Sequence, residues 1–227
     1  MEKFRGIHAG KRAFIACNGP SLNATPVQKL KHDIVFGLNR GYLRKGLPIT
    51  YLVVVNDLVE RQFSDEMRNY ASKHCKAFFT NTITGPNCHR MLWTPDKPKF
   101  TGDPTKPMWQ GHTVTFAAMQ LAYFMGIKTL YLVGCDHSFT NKGSVRKKGE
   151  RGRLALHDDP NHFSSDYYGK GVRWDAYEPG AVERAYHLAR KAYGKVGRKI
   201  WNASAHTKLP EDVIPRIDFY TIEFRSG

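Results

Sequence analysis

Long apolar runs are missing from this chain: no stretch reaches the ~18 consecutive apolar residues of a membrane-spanning helix. The opening Met1-Glu2-Lys3-Phe4-Arg5-Gly6 lacks the apolar core of a secretory signal. Cysteine is scarce too. Cys17, Cys75, Cys88 and Cys135 show no metal-type pairing, which excludes a structural zinc knuckle. Reduced thiols in a cytoplasmic protein are therefore expected. Neither a Walker loop nor a G-x-G-x-x-G fingerprint occurs, which sets aside ordinary P-loop and dinucleotide chemistry. With no repeat, low-complexity tract or interdomain linker, residues 1–227 read as a single domain, long enough to bury a full core.

Acidic residues are in short supply. Against 35 Lys and Arg stand 20 Asp and Glu, a net charge of +15. Nucleic acid, an anionic membrane surface or a polyanionic substrate would each fit that balance. The charge is concentrated: six of the twelve residues 142–153 are Lys or Arg, interrupted by Gly143, Gly149 and Gly152. Such a segment reads as a mobile, solvated loop, either without a specific role or as a lid that draws anions to a site. No aromatics are interleaved with it and no binding module is recognised, so no specific nucleic acid is expected. Peripheral contact with the anionic inner face of a membrane stays open, as does a homo-oligomer.

What is present is the alternation of an α/β domain. Buried-strand runs lie at 12–17, 34–38, 50–55 and 129–133, with shorter candidates at 77–80, 91–93 and 199–201. Helical patterns fill 57–73, 112–125 and 178–193; the second carries Val114, Ala117, Ala118, Leu121 and Phe124 on one stripe and stops at Gly126. The expectation is a Rossmann-like three-layer domain with a mostly parallel sheet and a long basic lid over about 140–177. Loops at 94–110 and 140–177 are long enough to suggest lids or partial disorder.

Strand ends carry the polar residues. The run Leu130-Tyr131-Leu132-Val133 breaks at Gly134 into Asp136, His137 and Ser138, and three other strands end in Asn18, Asn39 and Asn56. Polar groups at the carboxyl ends of parallel strands suit a ligand crevice. An amide offers donors and an acceptor without charge, suiting ribose, a pyrimidine edge or phosphate. Gly19, before Pro20-Ser21, permits close backbone approach, and the following turn can aim N–H groups at phosphate. His162 lies among Asn161, Phe163, Tyr167 and Tyr168, surroundings that keep an imidazole neutral and fit for general-base work. His137, beside Asp136, is the rival. Asp136, Asp158 and Asp159 are the carboxylates on which a metal could rest.

The ordered set FIACNGPSLN, FGLNRGY, VVVND, MGIKTLYLVGCDHSF and DPNHF resembles the bacterial lipooligosaccharide sialyltransferases, which use CMP-activated sialic acid on one Rossmann-like domain with a mobile lid. It equally resembles the relatives of archaeal 6-hydroxymethylpterin pyrophosphokinase. The likeness runs over roughly residues 10–218 and is most specific in CNGPSL and GIKTLYLVGCD. Carried over, it implies that Asn18, Gly19 and Ser21 meet the nucleotide phosphate and ribose, and that Asn39 and Asn56 contact the donor. It implies a cytidine pocket lined by Thr113, Thr115, Asp136, His137 and Ser138. His162 would be the catalytic base. Where that family has a phosphate-stabilising tyrosine two places after the strand-end aspartate, this chain has Ser138. Tyr167, Tyr168 or lid cations such as Arg146 and Lys147 would then serve the leaving phosphate.

These readings favour a glycosyltransferase that passes a nucleotide-activated, CMP-linked acidic sugar to an anionic surface glycan by direct displacement, with no required cofactor. The rival enzyme transfers pyrophosphate from ATP to a pterin alcohol. It would need Mg²⁺ held by carboxylates such as Asp57, Asp136 or Asp158. A non-catalytic nucleotide- or nucleic-acid-binding protein is the third reading.

Overall fold

A computed structural model describes residues 1–95 and 98–224. Seven strands form one sheet: β1 Arg12–Ala16, β2 Ile34–Leu38, β3 Tyr51–Val53, β4 Ala77–Thr80, β5 Cys88–Arg90, β6 Thr129–Val133 and, late in the chain, Lys199–Asn202. Between β6 and the last of these come three short strands, β7 Ser144–Val145, β8 Arg153–Ala155 and β9 Arg173–Trp174, so Lys199–Asn202 is β10. The large sheet runs β10-β6-β1-β2-β3-β4-β5, and every neighbouring pair is parallel. Parallel strands buried on both faces read as continuous apolar runs. β1 fits that description, with Ala13, Phe14, Ile15 and Ala16 all fully buried.

Because side chains alternate across a strand, the sheet divides its apolar residues between two layers. Ile15, Phe36, Leu38, Tyr51, Val53 and Phe79 face the helices α2 Val114–Phe124 and α3 Pro179–Lys195. Phe14, Val35, Leu52, Val54 and Phe78 face α1 Asp57–His74 and the carboxyl-terminal segment around Phe219. This is the three-layer α/β architecture expected from the strand and helix pattern.

Three expectations are corrected. The edge strand is β5 at Cys88–Arg90 rather than 91–93; Trp93 makes only an isolated bridge to Met108. Helix α2 is buried on nearly every side instead of along one stripe, because α3 and the 94–110 loop cover its outer face. Phe100 packs edge-on against Phe116, and the fully buried Gln120 accepts from Thr101 N at 3.0 Å and donates to Trp109 O at 3.0 Å. Within 140–177, β7, β8 and β9 form an antiparallel sheet, so this segment is more ordered than a solvated loop. Among the described residues no helix is long and apolar enough to cross a membrane. All four cysteines are free.

Helix α1 is tied to the end of β4 by one buried carboxylate. Glu60 accepts from Thr80 Oγ1 at 2.7 Å, Asn81 N at 2.6 Å and Thr82 N at 2.8 Å, and also from Thr82 Oγ1. Removing it strands several donors in a dry setting. Glu60→Ala should destabilise the fold by roughly 2–4 kcal/mol and lower Tm by roughly 5–10 °C. A thermal melt within a degree of the parent would refute this account of the α1–β4 junction.

Candidate active site

The chain order reverses at β1, whose neighbours are β2 on one side and β6 on the other. Loops leaving β1 and β6 therefore part at this seam, where open α/β sheets hold ligands. The seam is tight. Gly19 N donates to Gly134 O at 2.9 Å, and a Cβ on Gly19 would lie 2.5 Å from Asp136 Cγ and 2.7 Å from Gly134 O. Only glycine fits. Gly134 adopts φ +67°, and a Cβ there would meet Cys17 O at 2.6 Å.

Two adjoining hollows form one crevice along the carboxyl edge. The inner one, about 160 Å³, is lined by Asn18, Gly19, Asn39, Thr113, Thr115, Asp136, His137, Ser138 and His162 among others. The outer one, about 380 Å³, shares Asn39, Thr113, Phe139, His162 and Tyr177 with it and adds Asn56, Asp57, Arg151, Tyr168 and Asp175. The sequence-predicted strand-end residues thus converge on one edge. A larger hollow of about 510 Å³ near Arg216 and Tyr220 contains none of them.

Not every predicted residue presents its side chain for a ligand. Ser21 is spent on Asp136, giving Oδ2 its backbone N–H at 2.8 Å and Oδ1 its hydroxyl. Asn18 donates to Leu38 O at 3.0 Å and Tyr167 Oη at 2.8 Å, leaving its buried Oδ1 unpartnered. Asn39, held in the left-handed region at φ 47°, also has an unpartnered buried Oδ1. Both residues line the inner hollow, although these two oxygens are themselves buried, the Asn18 one beside Gly41. Asn56 caps α1, its Oδ1 accepting from Leu58 N at 2.9 Å, while its amide nitrogen donates to Asp175 at 3.0 Å. Thr113 caps α2 in the same way, accepting from Thr115 N at 3.3 Å. The first turn of α2 thereby lies along the crevice as an electropositive dipole end, with the Thr115 and Phe116 N–H groups already given to Thr113.

His162 is the best-defined catalytic candidate. Its Nδ1 lies 2.6 Å from Asp159 Oδ2, and its ring stacks on Tyr167 with centroids 4.0 Å apart and planes 10° apart. Asp159 is fixed in turn, Oδ1 accepting from Asn161 N at 2.8 Å and Oδ2 from Tyr168 N at 3.0 Å. An ionised carboxylate only accepts, so Nδ1 carries the hydrogen and Nε2 keeps its lone pair. That is the orienting half of a catalytic dyad. The sequence signal was Asp-Pro-Asn-His at 159–162, where Asp159 had been weighed only as a metal ligand.

The rival histidine is not free. His137, at φ 52° with 4% of its side chain exposed, binds Glu183 Oε1 through Nε2 at 2.8 Å and the Tyr177 hydroxyl through Nδ1. What reaches both hollows is Tyr177, a residue the sequence did not single out. Burial, then the neighbouring Cys135, Cys17 and Glu183, push its pKa up, so it is a phenol that donates rather than a phenolate. Burial, then Asp159, does the same for Tyr168.

Tyr167 does not face the crevice. It is 0% exposed and serves as the plate beneath His162, its hydroxyl accepting from Asn18. Arg146 and Lys147 are exposed and line neither hollow; the lid cation that does is Arg151. Its Nη1 lies 2.7 Å from Asp57 Oδ1 and its Nη2 2.8 Å from Asp175 Oδ2. Partial burial raises the Asp57 pKa, but Arg151's hydrogen bonds and charge outweigh it and hold the carboxyl below its ordinary range. Among the described residues no three His, Cys, Asp or Glu side chains gather as a metal-binding group, Asp136, Asp158 and Asp159 included.

No family model and no curated protein matches the chain. Solved structures do. The sialyltransferase CstII from Campylobacter jejuni, in complex with the substrate analogue cytidine-5'-monophosphate, superposes with a TM-score of 0.51 at 15% identity, over 91% of this chain and 84% of that one. The same enzyme in complex with CMP-3FNeuAc gives 0.51 at 15% identity, over 95% and 89%. At that identity the likeness is one of fold, a mostly parallel α/β sheet with its flanking helices.

Arg151 joins the 140–177 segment to the start of α1, alongside the contacts of Gln62 with Arg173 and of Asn56 with Asp175. Exposed ion pairs contribute little to global stability. Arg151→Gln should therefore leave Tm nearly unchanged while cleavage within 140–177 by a limiting protease quickens several-fold. Unaltered cleavage kinetics would show that the latch is ornamental.

Proposed function

We propose that this protein is a glycosyltransferase that takes a CMP-linked acidic sugar and transfers it to a glycan hydroxyl by direct displacement. The observation that carries the reading is the Asp159–His162 dyad, set at the crevice that Asn18, Asn39 and the start of α2 also line. The sialyltransferase fold neighbour, solved with CMP and a CMP-sugar analogue, supports a nucleotide-sugar donor.

In this mechanism the nucleotide lies in the inner hollow. Asn18 and Asn39 line it beside the ribose and cytosine. The phosphate lies toward the first turn of α2 and the Tyr168 phenol, with Arg151 paired to Asp57 and Asp175 beside it. The acceptor hydroxyl approaches His162. As its oxygen bonds to the anomeric carbon, its proton passes to Nε2 and the resulting imidazolium is stabilised by Asp159 through Nδ1–H. The carbon–oxygen bond to phosphate breaks, and its electron pair stays on the phosphate oxygen facing the electropositive start of α2 and the Tyr168 phenol. One displacement inverts the anomeric centre.

His137 holds a phenol instead of the nucleotide. With Nε2–H given to Glu183, its Nδ1 accepts the single hydrogen of the Tyr177 hydroxyl, so that phenol has none left for a phosphate.

Two measurements test the reading. Calorimetric titration should give CMP a lower Kd than ATP, unchanged by EDTA, because amides, the α2 dipole and the Tyr168 phenol do the binding. A preference for ATP that requires Mg²⁺ would favour pyrophosphoryl transfer instead. With a CMP-sugar donor, His162→Ala and Asp159→Asn should each lower kcat by about 10²–10⁴ while CMP affinity stays near the parent value. Full activity in His162→Ala would remove the base from the mechanism.

A further inference from the structure

Phe139, His162 and Tyr177 each line both the inner and the outer hollow, so their rings meet where the two spaces join. The mechanism above gives Phe139 no part. Its backbone is nevertheless tied to the candidate base. The buried Asn161 accepts Thr140 N on its Oδ1 at 2.7 Å and donates from its amide nitrogen to Thr140 O at 3.0 Å. Thr140 follows Phe139 and Asn161 precedes His162, so this paired hydrogen bond holds the two rings against each other. The Phe139 ring stacks on Tyr177 with centroids 5.2 Å apart and planes at 25°. It meets the His162 ring at 5.5 Å and 83°, and that of the buried Trp174 at 5.3 Å and 53°.

Despite these contacts, 36% of Phe139 stays exposed. A single exposed apolar residue is ordinary. A ring packed on three others, clamped through a buried amide and still more than a third exposed beside a base presents a fixed apolar face for a ligand to cover. The polar atoms next to it share one hydrogen-bonding character. Tyr177 gives its only hydrogen to His137 Nδ1, so its oxygen accepts. His162 gives Nδ1–H to Asp159 and keeps the lone pair on Nε2. An ionised phosphate or carboxylate has no hydrogen for either. A sugar ring does: its hydroxyls donate, and the C–H groups of one face lie flat on an aromatic ring.

We infer that Phe139 is the platform of the acceptor subsite, on which one pyranose ring of the glycan lies with a hydroxyl directed at His162 Nε2 and another at the Tyr177 oxygen. This deepens the glycosyltransferase reading and rests on it for the word acceptor; the saccharide contact itself stands on the Phe139 ring and the two acceptors beside it. The stacked ring sets the distance of the reacting hydroxyl from the base. Asn161 is then a positioning residue, because it joins the platform to His162.

The test keeps platform and donor apart. In protein labelled with 4-fluorophenylalanine, the fluorine resonance of Phe139 is the one lost in Phe139→Tyr. The labelled protein is titrated with methyl β-galactoside, methyl β-glucoside and methyl β-N-acetylglucosaminide, and CMP affinity is measured separately by calorimetry. At least one glycoside should bind and shift the Phe139 resonance. Phe139→Leu keeps an apolar side chain but loses the aromatic face, and should weaken that glycoside at least tenfold. Phe139→Tyr should bind it nearly as the parent does, and in both variants Tm and CMP affinity should stay near the parent values. If CMP binds but no glycoside moves the Phe139 resonance, or if Phe139→Leu binds the glycoside like the parent, the platform is refuted. A loss of CMP affinity in Phe139→Leu at unchanged Tm would make the ring a nucleobase plate and overturn the inference as well. Glycoside binding that Phe139→Leu abolishes, without any CMP binding, would uphold the platform and sink the donor assignment instead.

Discussion

The seam between β1 and β6 is the constraint on which the rest of the site depends. Two carbonyl–amide contacts, Cys17 N to Val133 O at 2.8 Å and Gly19 N to Gly134 O at 2.9 Å, carry the parallel ladder past the formal ends of both strands. Only beyond them do the chains diverge. The Asp136 carboxylate then folds back onto the Ser21 N–H and hydroxyl, and fills the space where a Gly19 side chain would be. The polar residues after β6 are thus spent partly on holding the crevice open, and the ligand-facing groups are supplied by their neighbours.

Asn18 extends that seam in three directions. Its amide holds Leu38 O at the end of β2 and the Tyr167 hydroxyl, and its own carbonyl accepts from Phe163 N at 2.9 Å. One residue therefore ties β1, β2 and the His162 segment together, so the position of the candidate base is set by the end of β1. Tyr167, stacked beneath His162, completes the connection. This explains why a phenol in the expected neighbourhood of the phosphate is fully buried: it is part of the support for the imidazole.

Sequence patterns made the sheet legible wherever a strand is apolar on both faces, as in β1, β2 and β6. They missed β5 because Cys88-His89-Arg90 lies at the edge and carries no apolar run. They missed β7, β8 and β9 because strands of two or three residues hold no periodicity. Within the site, positions at strand ends were readable from chain order alone. Pairings were not. Nothing in the spacing tells that Asp136 turns to Ser21 rather than to a ligand, that Arg151 rather than Arg146 or Lys147 reaches the crevice, or that Tyr177 lies against His137 forty residues earlier. Such contacts depend on how loops fold over one another, which local propensity does not encode.

The charge balance gains a different meaning once located. Arg151 is the one Lys or Arg among the residues lining the inner and outer hollows, and Asp57, Asp136, Asp175 and Glu178 line them as well. Arg151 itself is committed to Asp57 and Asp175. Among the described lining residues there is no unpaired ammonium or guanidinium, so under the proposed function a phosphate would be held by the start of α2, the Tyr168 phenol and amides. The +15 of the whole chain acts from outside, as a long-range field that salt screens over about 10 Å at 0.1 M ionic strength. Attraction and recognition are then separate properties of the molecule. Surface lysines and arginines raise the encounter rate of any anion, while selection among anions rests on neutral donors whose geometry the β1–β6 seam and the α2 cap hold in place. Under the proposed function such a division would also ease departure, because a product phosphate bound through dipoles would leave without breaking a direct contact between full charges.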